Sequence, residues 1–104
     1  MLNNIISLVG RIVNTPSLEK DDRNRYVCNI TLAVNRSYKN YEGVYDTDFI
    51  NCRLYGNVAE KTCEYCRKGD LVCVRGSLSS LPGDVVYVIA NNVSYLAKGN
   101  KESD

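Results

Sequence analysis

From Tyr26 to Asn35 the side chains alternate. Tyr26, Cys28, Ile30, Leu32 and Val34 take one phase; Asn29, Thr31 and Asn35 take the other, beside Val27 and Ala33. A period of two is the mark of a strand with one buried face, so the first set is assigned to the core. The run from Thr47 to Tyr55 repeats the pattern, with Ile50, Cys52 and Leu54 inward and Phe49, Asn51, Arg53 and Tyr55 outward. Ile5 to Val13 is a β-branched run carrying Gly10, a residue that inside a strand marks a bend or bulge, as at a barrel corner. Leu71 to Leu78 and Val85 to Leu96 are two further strands.

The connections supply the order. Asn14 to Asn24 is a polar loop with Pro16 and the run Glu19-Lys20-Asp21-Asp22-Arg23. Ser37 to Asp46 reads as a flexible hairpin loop turning at Asn40 and Gly43, and Ser79 to Asp84 as a short turn on Pro82-Gly83. After Tyr55 the period changes to that of a helix. Asn57 and Glu60 have capping-box spacing, and Val58, Ala59, Thr62, Cys63, Tyr65 and Cys66 form a buried stripe. Arg67 and Lys68 suit the negative helix end, and Gly69 stops it. Three strands, one helix and two strands predict a mostly β protein. The fitting architecture is a five-stranded Greek-key β-barrel (OB-fold) with one helix between strands three and four. Residues 1–97 form the domain, and 98–104 a short polar end expected to be disordered.

The residue inventory argues against catalysis. The chain of 104 residues has no His, so it lacks the commonest general base and metal ligand. Of the five Cys, Cys63 and Cys66 alone have C-x-x-C spacing, but they sit inside the helix on its apolar stripe, with no second pair to complete a zinc site. They read as small buried hydrophobes. Asp46 and Asp48 read as solvated loop and strand-edge carboxylates. No phosphate loop or triad can be assembled, so no catalytic residue, metal or cofactor is assigned. The N-terminus lacks signal-peptide character and no run has the length of a membrane span, which predicts a cytoplasmic protein with reduced thiols.

The outward face of the third strand holds the candidate site. Phe49 and Tyr55 offer flat rings with Arg53 between them, and Arg36, Tyr38 and Lys39 follow the second strand, with Tyr41 and Tyr45 on the adjoining loop. Unpaired bases stack on such rings, and a guanidinium meets phosphate or stacks as well. The same aromatics also suit a partner-subunit contact or ordinary cross-strand pairs. The net charge of +1 does not choose between these readings. Several strands are apolar on both phases: Ile5, Val9 and Val13 oppose Ile6, Leu8 and Ile12. Likewise Leu71 and Cys73 oppose Val72, Val74 and Leu78, and Val86, Val88 and Ala90 oppose Val85, Tyr87 and Ile89. One barrel has one inside, so the surplus is expected to meet another subunit.

An ordered set of segments across residues 3 to 97 resembles the bacterial-type single-stranded DNA-binding proteins. They are Asn4-Ile5-Ile6-Ser7-Leu8-Val9-Gly10-Arg11, Asn29-Ile30-Thr31-Leu32-Ala33-Val34-Asn35-Arg36, Asp48-Phe49-Ile50-Asn51-Cys52, Ala59-Glu60 through Tyr65, Arg67-Lys68-Gly69-Asp70 and Val74-Arg75-Gly76-Ser77-Leu78. The resemblance implies an OB-fold, a homotetramer (a dimer is the alternative assembly), and sequence-tolerant binding of single-stranded DNA in replication, recombination and repair. It implies stacking on Tyr38, Phe49 and Tyr55, with Arg11, Arg36, Lys39, Arg53, Arg67 and Lys68 as basic residues near the groove. Three departures stand out. There is no Trp, so each platform is smaller; the strand four–five connection is cut to about Ser79–Asp84, removing one arm of the DNA path; and the family's acidic tail is absent. These point to an accessory, phage, plasmid or competence-type relative that does not recruit repair proteins. The alternative function is an OB-fold protein-interaction factor, primosome-like or phage accessory, with incidental nucleic-acid binding.

Overall fold

The computed structural model describes residues 3–99. In chain order the elements are β1 (Ile6–Ile12), β2 (Glu19–Lys20), β3 (Tyr26–Lys39), β4 (Tyr45–Tyr55), α1 (Gly56–Tyr65), β5 (Leu71–Leu81) and β6 (Val85–Ala97). The strands lie in the order β1-β5-β6-β4-β3-β2, and β1 also pairs with β3, which closes a barrel of five long strands. β4 and β6 run parallel; the other pairs are antiparallel. The expected barrel with a helix after its third long strand is therefore present.

Closure depends on Gly10. β1 pairs with β5 as far as Arg11 and meets β3 at Arg11 and Ile12. A Cβ at Gly10 would stand 2.6 Å from the carbonyl oxygen of Ala33. Only a residue without a side chain lets β1 leave one neighbour for the other, as its place in the strand predicts. At the opposite seam, the β5–β6 register slips between Arg75 and Gly76, where a Cβ would overlap the carbonyl oxygen of Ile89.

The core follows the alternation. Cys28, Ile30 and Leu32 of β3, Cys52 and Leu54 of β4, Ile12, Val72, Val74 and Val88 are fully buried. α1 packs on β3, β4 and β6 and adds Ala59 and Thr62 to this interior. Asp70 is buried as well, but its carboxylate accepts the amides of Arg67 and Gly99, each at 2.8 Å, which offsets its desolvation.

Several local expectations fail for identifiable reasons. Tyr26 is exposed and Val27 buried, because β2 pairs alongside this end of β3, inside what reads as a plain loop. Half of the Ser37–Asp46 segment is strand. Only Asn40–Val44 turns, with the Asn40 side chain accepting the amides of Glu42 and Val44 and with Gly43 at φ +82°. Similarly, Leu81 pairs with Val85, so only Pro82–Asp84 turns between β5 and β6. The capping box does not form: β4 runs directly into α1, Tyr55 is the N-cap without a side-chain bond, and Asn57 lies within the first turn. Tyr65 is 67% exposed rather than part of the stripe. Gly69 does not end the helix; Cys66 does, and the Arg67 guanidinium donates to the carbonyls of Cys63, Glu64 and Cys66. Beyond Ala97, Lys98 and Gly99 are tied to the body by Arg11 and Asp70. The remainder of the polar end, 100–104, lies outside the described residues. Among the described residues no helix is long and apolar enough to cross a membrane.

Candidate functional site

The odd-numbered residues of β3 and β4 share one face in register, open to the outside except at the buried Val27. The rungs are Ala33 with Phe49, Thr31 with Asn51, Asn29 with Arg53 and Val27 with Tyr55. Arg11 of β1 pairs with Ala33 and so lies in the row of Phe49. Ala33 is small, which leaves the Phe49 ring 66% exposed. Six residues at about 3.4 Å each place Tyr55 roughly 20 Å along the strand from Phe49. Past Asn35 the β3–β4 ribbon continues through a register shift and carries Tyr38 (64% exposed), Tyr41 and Tyr45 outward.

At the Tyr55 end the face is a groove. Parallel pairing of Cys52 with Val88 brings β6 beside β4, and the β5–β6 hairpin rises as a second wall. The groove encloses about 420 Å³ between Asn29, Thr31, Asn51, Arg53 and Tyr55 on one side and Leu81, Val85 and Tyr87 on the other. Val85 and Tyr87, expected among the surplus residues facing another subunit, line the groove instead.

The candidate cations fall into two sets. Arg36 is neutralised: its Nε and Nη2 donate to Asp48 at 3.1 and 3.0 Å, and Nη1 lies 3.8 Å from Asp46. Asp46 and Asp48 are therefore ion-pair partners, not merely solvated. The Arg36 bond holds the Asp48 carboxyl below the usual carboxylate range, and Asp48 in turn raises the Arg36 pKa. Arg11 donates to the carbonyls of Gly69 and Lys98, and Arg67 caps the helix. Arg53, by contrast, makes no hydrogen bond or ion pair among the described residues, and its Nε is buried without a partner. Lys39 lies 5.6 Å from the Tyr45 ring on the ribbon. Lys68 is exposed beyond the end of α1, with Arg67, away from the groove lining.

Tyr55 is flanked by guanidinium groups, Arg25 at 4.8 Å and Arg53 at 5.6 Å from its ring centre. Arg25 is held there by Asp21, which binds its Nε at 2.9 Å, accepts the amides of Arg23 and Arg25, and has its own pKa lowered chiefly by the Arg25 amide. Sequence reasoning missed Arg25, Tyr87 and the Leu81–Val85 lip. The alternation put Tyr87 in one phase with Val85 and Ile89 without saying which phase faces in, and the parallel neighbour of β6 is not encoded locally.

The buried thiols of Cys28, Cys52 and Cys66 offer no alternative chemistry. Burial pushes Cys28 up to about 12 and Cys52 up to about 11, and raises Cys66 too, so they stay protonated and inert. No cluster of three or more His, Cys, Asp or Glu suited to a metal occurs among the described residues.

Comparison with known proteins gives one consistent family. The profile of the single-strand binding protein family matches residues 3–82. Single-stranded DNA-binding protein B of Bacillus subtilis is 43% identical over 77 residues, which is 74% of this chain and 68% of that protein. A single-stranded DNA-binding protein of Halalkalibacterium halodurans is 35% identical over 99% of this chain and 66% of its own length. Single-stranded DNA-binding protein 3 of Streptococcus agalactiae is 34% identical, covering 98% of this chain and 79% of the relative. All three continue beyond the part this chain spans. The SSB domain of a Synechococcus protein superposes with a TM-score of 0.74 over 90% of this chain and 97% of that domain, at 18% identity, which speaks to the barrel fold.

Proposed function

The chain belongs to the single-strand binding protein family, and from that premise we propose that it holds single-stranded DNA, without reading its sequence, along the outer face of β3 and β4. Bases stack on Phe49 and on Tyr38 of the ribbon, and the strand passes Arg53 toward Tyr55. The observation that carries this reading is a two-thirds exposed Phe49 on the same face as Arg53, whose Nε has no partner and which forms no ion pair among the described residues. Exposed rings and an unneutralised cation in one file suit a ligand that is flat and anionic. Lys39 reaches the phosphates from the ribbon and Arg11 from the row of Phe49, while Arg36 does so only on leaving Asp48. Arg67 and Lys68, at the far end of α1, contribute only where the strand wraps past the helix.

The protein works by binding rather than catalysis, in replication, recombination or repair, in the cytoplasm. It assembles with copies of itself. Ile5 just before β1, Val9 on β1 and Leu96 on β6 are at least half exposed, a cost that a second copy removes, and a homotetramer is the assembly favoured by family likeness. Titration with oligo-dT at low and moderate salt, with light scattering of free and bound protein, tests both parts. Binding that weakens as salt rises is expected. A failure to bind at micromolar protein in low salt would overturn the DNA reading, and a monomer by scattering would overturn the assembly.

A further inference from the structure

We propose that the turn between β2 and β3 is a gate over the Tyr55 end of the groove: Arg25 occupies the Tyr55 ring in the free protein and must give it up before a base stacks there. This deepens the single-strand reading and rests on it. The Arg25 guanidinium lies over the ring, 4.8 Å from its centre, and Arg53 lies over it at 5.6 Å. Tyr55 is itself only partly exposed. A base stacks on a ring by the same flat face that a guanidinium covers, so the two compete. Phe49 is different: among the described residues no cation lies over it. The two ends of one aromatic file are therefore unequal, one open and one closed by the chain itself.

The gate is built into the main chain. The Asp21 amide donates to the Arg25 carbonyl and the Asn24 amide to the Asp21 carbonyl, each at 2.9 Å, with Asn24 at φ +63°. Asp21 Oδ1 accepts the amides of Arg23 and Arg25, each at 2.9 Å. Its Oδ2 takes the Arg25 guanidinium, Nε at 2.9 Å and Nη2 at 2.8 Å. Arg25 stands two residues before Val27, the cross-strand partner of Tyr55, so this closed turn aims the guanidinium at that ring. The turn itself is lightly tied to the barrel. β2 pairs with β3 only at Glu19 with Val27 and Lys20 with Tyr26, and the Arg25 side chain is 52% exposed. A segment held by so few rungs opens at far lower cost than the core strands. Asp21 already neutralises Arg25, so the pair moves aside together and adds no phosphate contact of its own.

The experiment titrates the full chain with oligo-dT across a salt series, beside Arg25→Gln and Asp21→Asn. Arg25→Gln uncovers the ring, and the main-chain bonds of the turn do not involve the side chain it replaces. It is expected to bind about 2- to 5-fold more tightly, the value of an exposed cation–π contact, with the salt slope of the parent. In a Tyr55→Leu background that gain should vanish. Asp21→Asn keeps the oxygen that accepts the turn amides and frees the guanidinium for a phosphate, so its salt slope should steepen by roughly 0.7. By NMR, the ring-shifted Arg25 Nε–H signal of the free protein should move to an ordinary position on saturation with oligo-dT. Weaker binding with a shallower slope in Arg25→Gln would make Arg25 a plain phosphate contact and overturn the gate. So would a gain that persists without the Tyr55 ring, an unmoved slope in Asp21→Asn, or an Arg25 signal still ring-shifted in the complex. If the parent binds oligo-dT and Phe49→Ala weakens it while Arg25→Gln changes nothing, the family reading stands and only the gate falls. No binding by the parent removes both.

Discussion

The Arg25 guanidinium lies 4.8 Å from the centre of the Tyr55 ring, anchored there by Asp21. One end of the aromatic file is thus already covered by a cation in the free protein, while Phe49 at the other end stands open. A stability cycle of Arg25→Ala with Tyr55→Leu should give a coupling of about 0.5–1 kcal/mol, the size of an exposed cation–π contact. Additivity in urea unfolding would show that the stack contributes nothing.

Phe49→Ala should separate binding from folding. The ring is mostly solvated, so unfolding free energy should move by no more than about 0.5 kcal/mol. Oligo-dT affinity should fall by about 1–3 kcal/mol. A loss of stability as large as the loss of affinity would mean that the ring is structural.

Arg36 cannot meet a phosphate without leaving Asp48. Asp48→Asn should therefore tighten oligo-dT binding and steepen its salt dependence by roughly 0.7 in log–log slope, the release from one more phosphate. The sign with pH follows from the lowered Asp48 pKa. Whatever the pair adds to stability is present above the unfolded value of 3.8 and lost as pH falls through the lower folded value. Across neutral pH the pair stays closed, so the Asp48→Asn gain should be flat there; a gain that varied between pH 6 and pH 8 would implicate another group.

The buried thiols predict alkaline weakening. Cys28 and Cys52 keep their protons to about 12 and about 11 when folded, but lose them near 9.0 when unfolded. The unfolded chain therefore binds fewer protons in that window, and stability falls as pH rises, by about 1 kcal/mol per thiol between roughly pH 9 and pH 10. Urea midpoints for the parent and for a Cys28→Ala/Cys52→Ala variant should show the parent falling more steeply. Equal slopes would contradict this.

Gly10→Ala should cost about 1–3 kcal/mol, because its Cβ would lie 2.6 Å from the carbonyl oxygen of Ala33 at the barrel seam. An unchanged melting temperature would mean that the β1–β3 closure is looser than described.

What was legible follows from how local each signal is. The two-residue period decided that Phe49, Asn51, Arg53 and Tyr55 share a face, and the same period named Cys28, Ile30, Leu32, Cys52 and Leu54 as core. It misled at Tyr26 and Val27, where β2 pairs with the strand end, and at Asn57, where a cap motif lost to a strand running straight into the helix. Tyr87 was placed in one of two apolar phases, and which of them faces the groove depended on β6 lying parallel to β4.

The order of residues alone determined which side chains point in and which point out, because alternation is a property of neighbouring residues on one extended backbone. Tertiary structure alone decided that Tyr87 and Tyr55 line one groove, that Arg36 is spent on Asp48 and that Arg53 has no such partner among the described residues. Those facts join positions set side by side only by strand pairing and barrel closure, so no short window of sequence contains them.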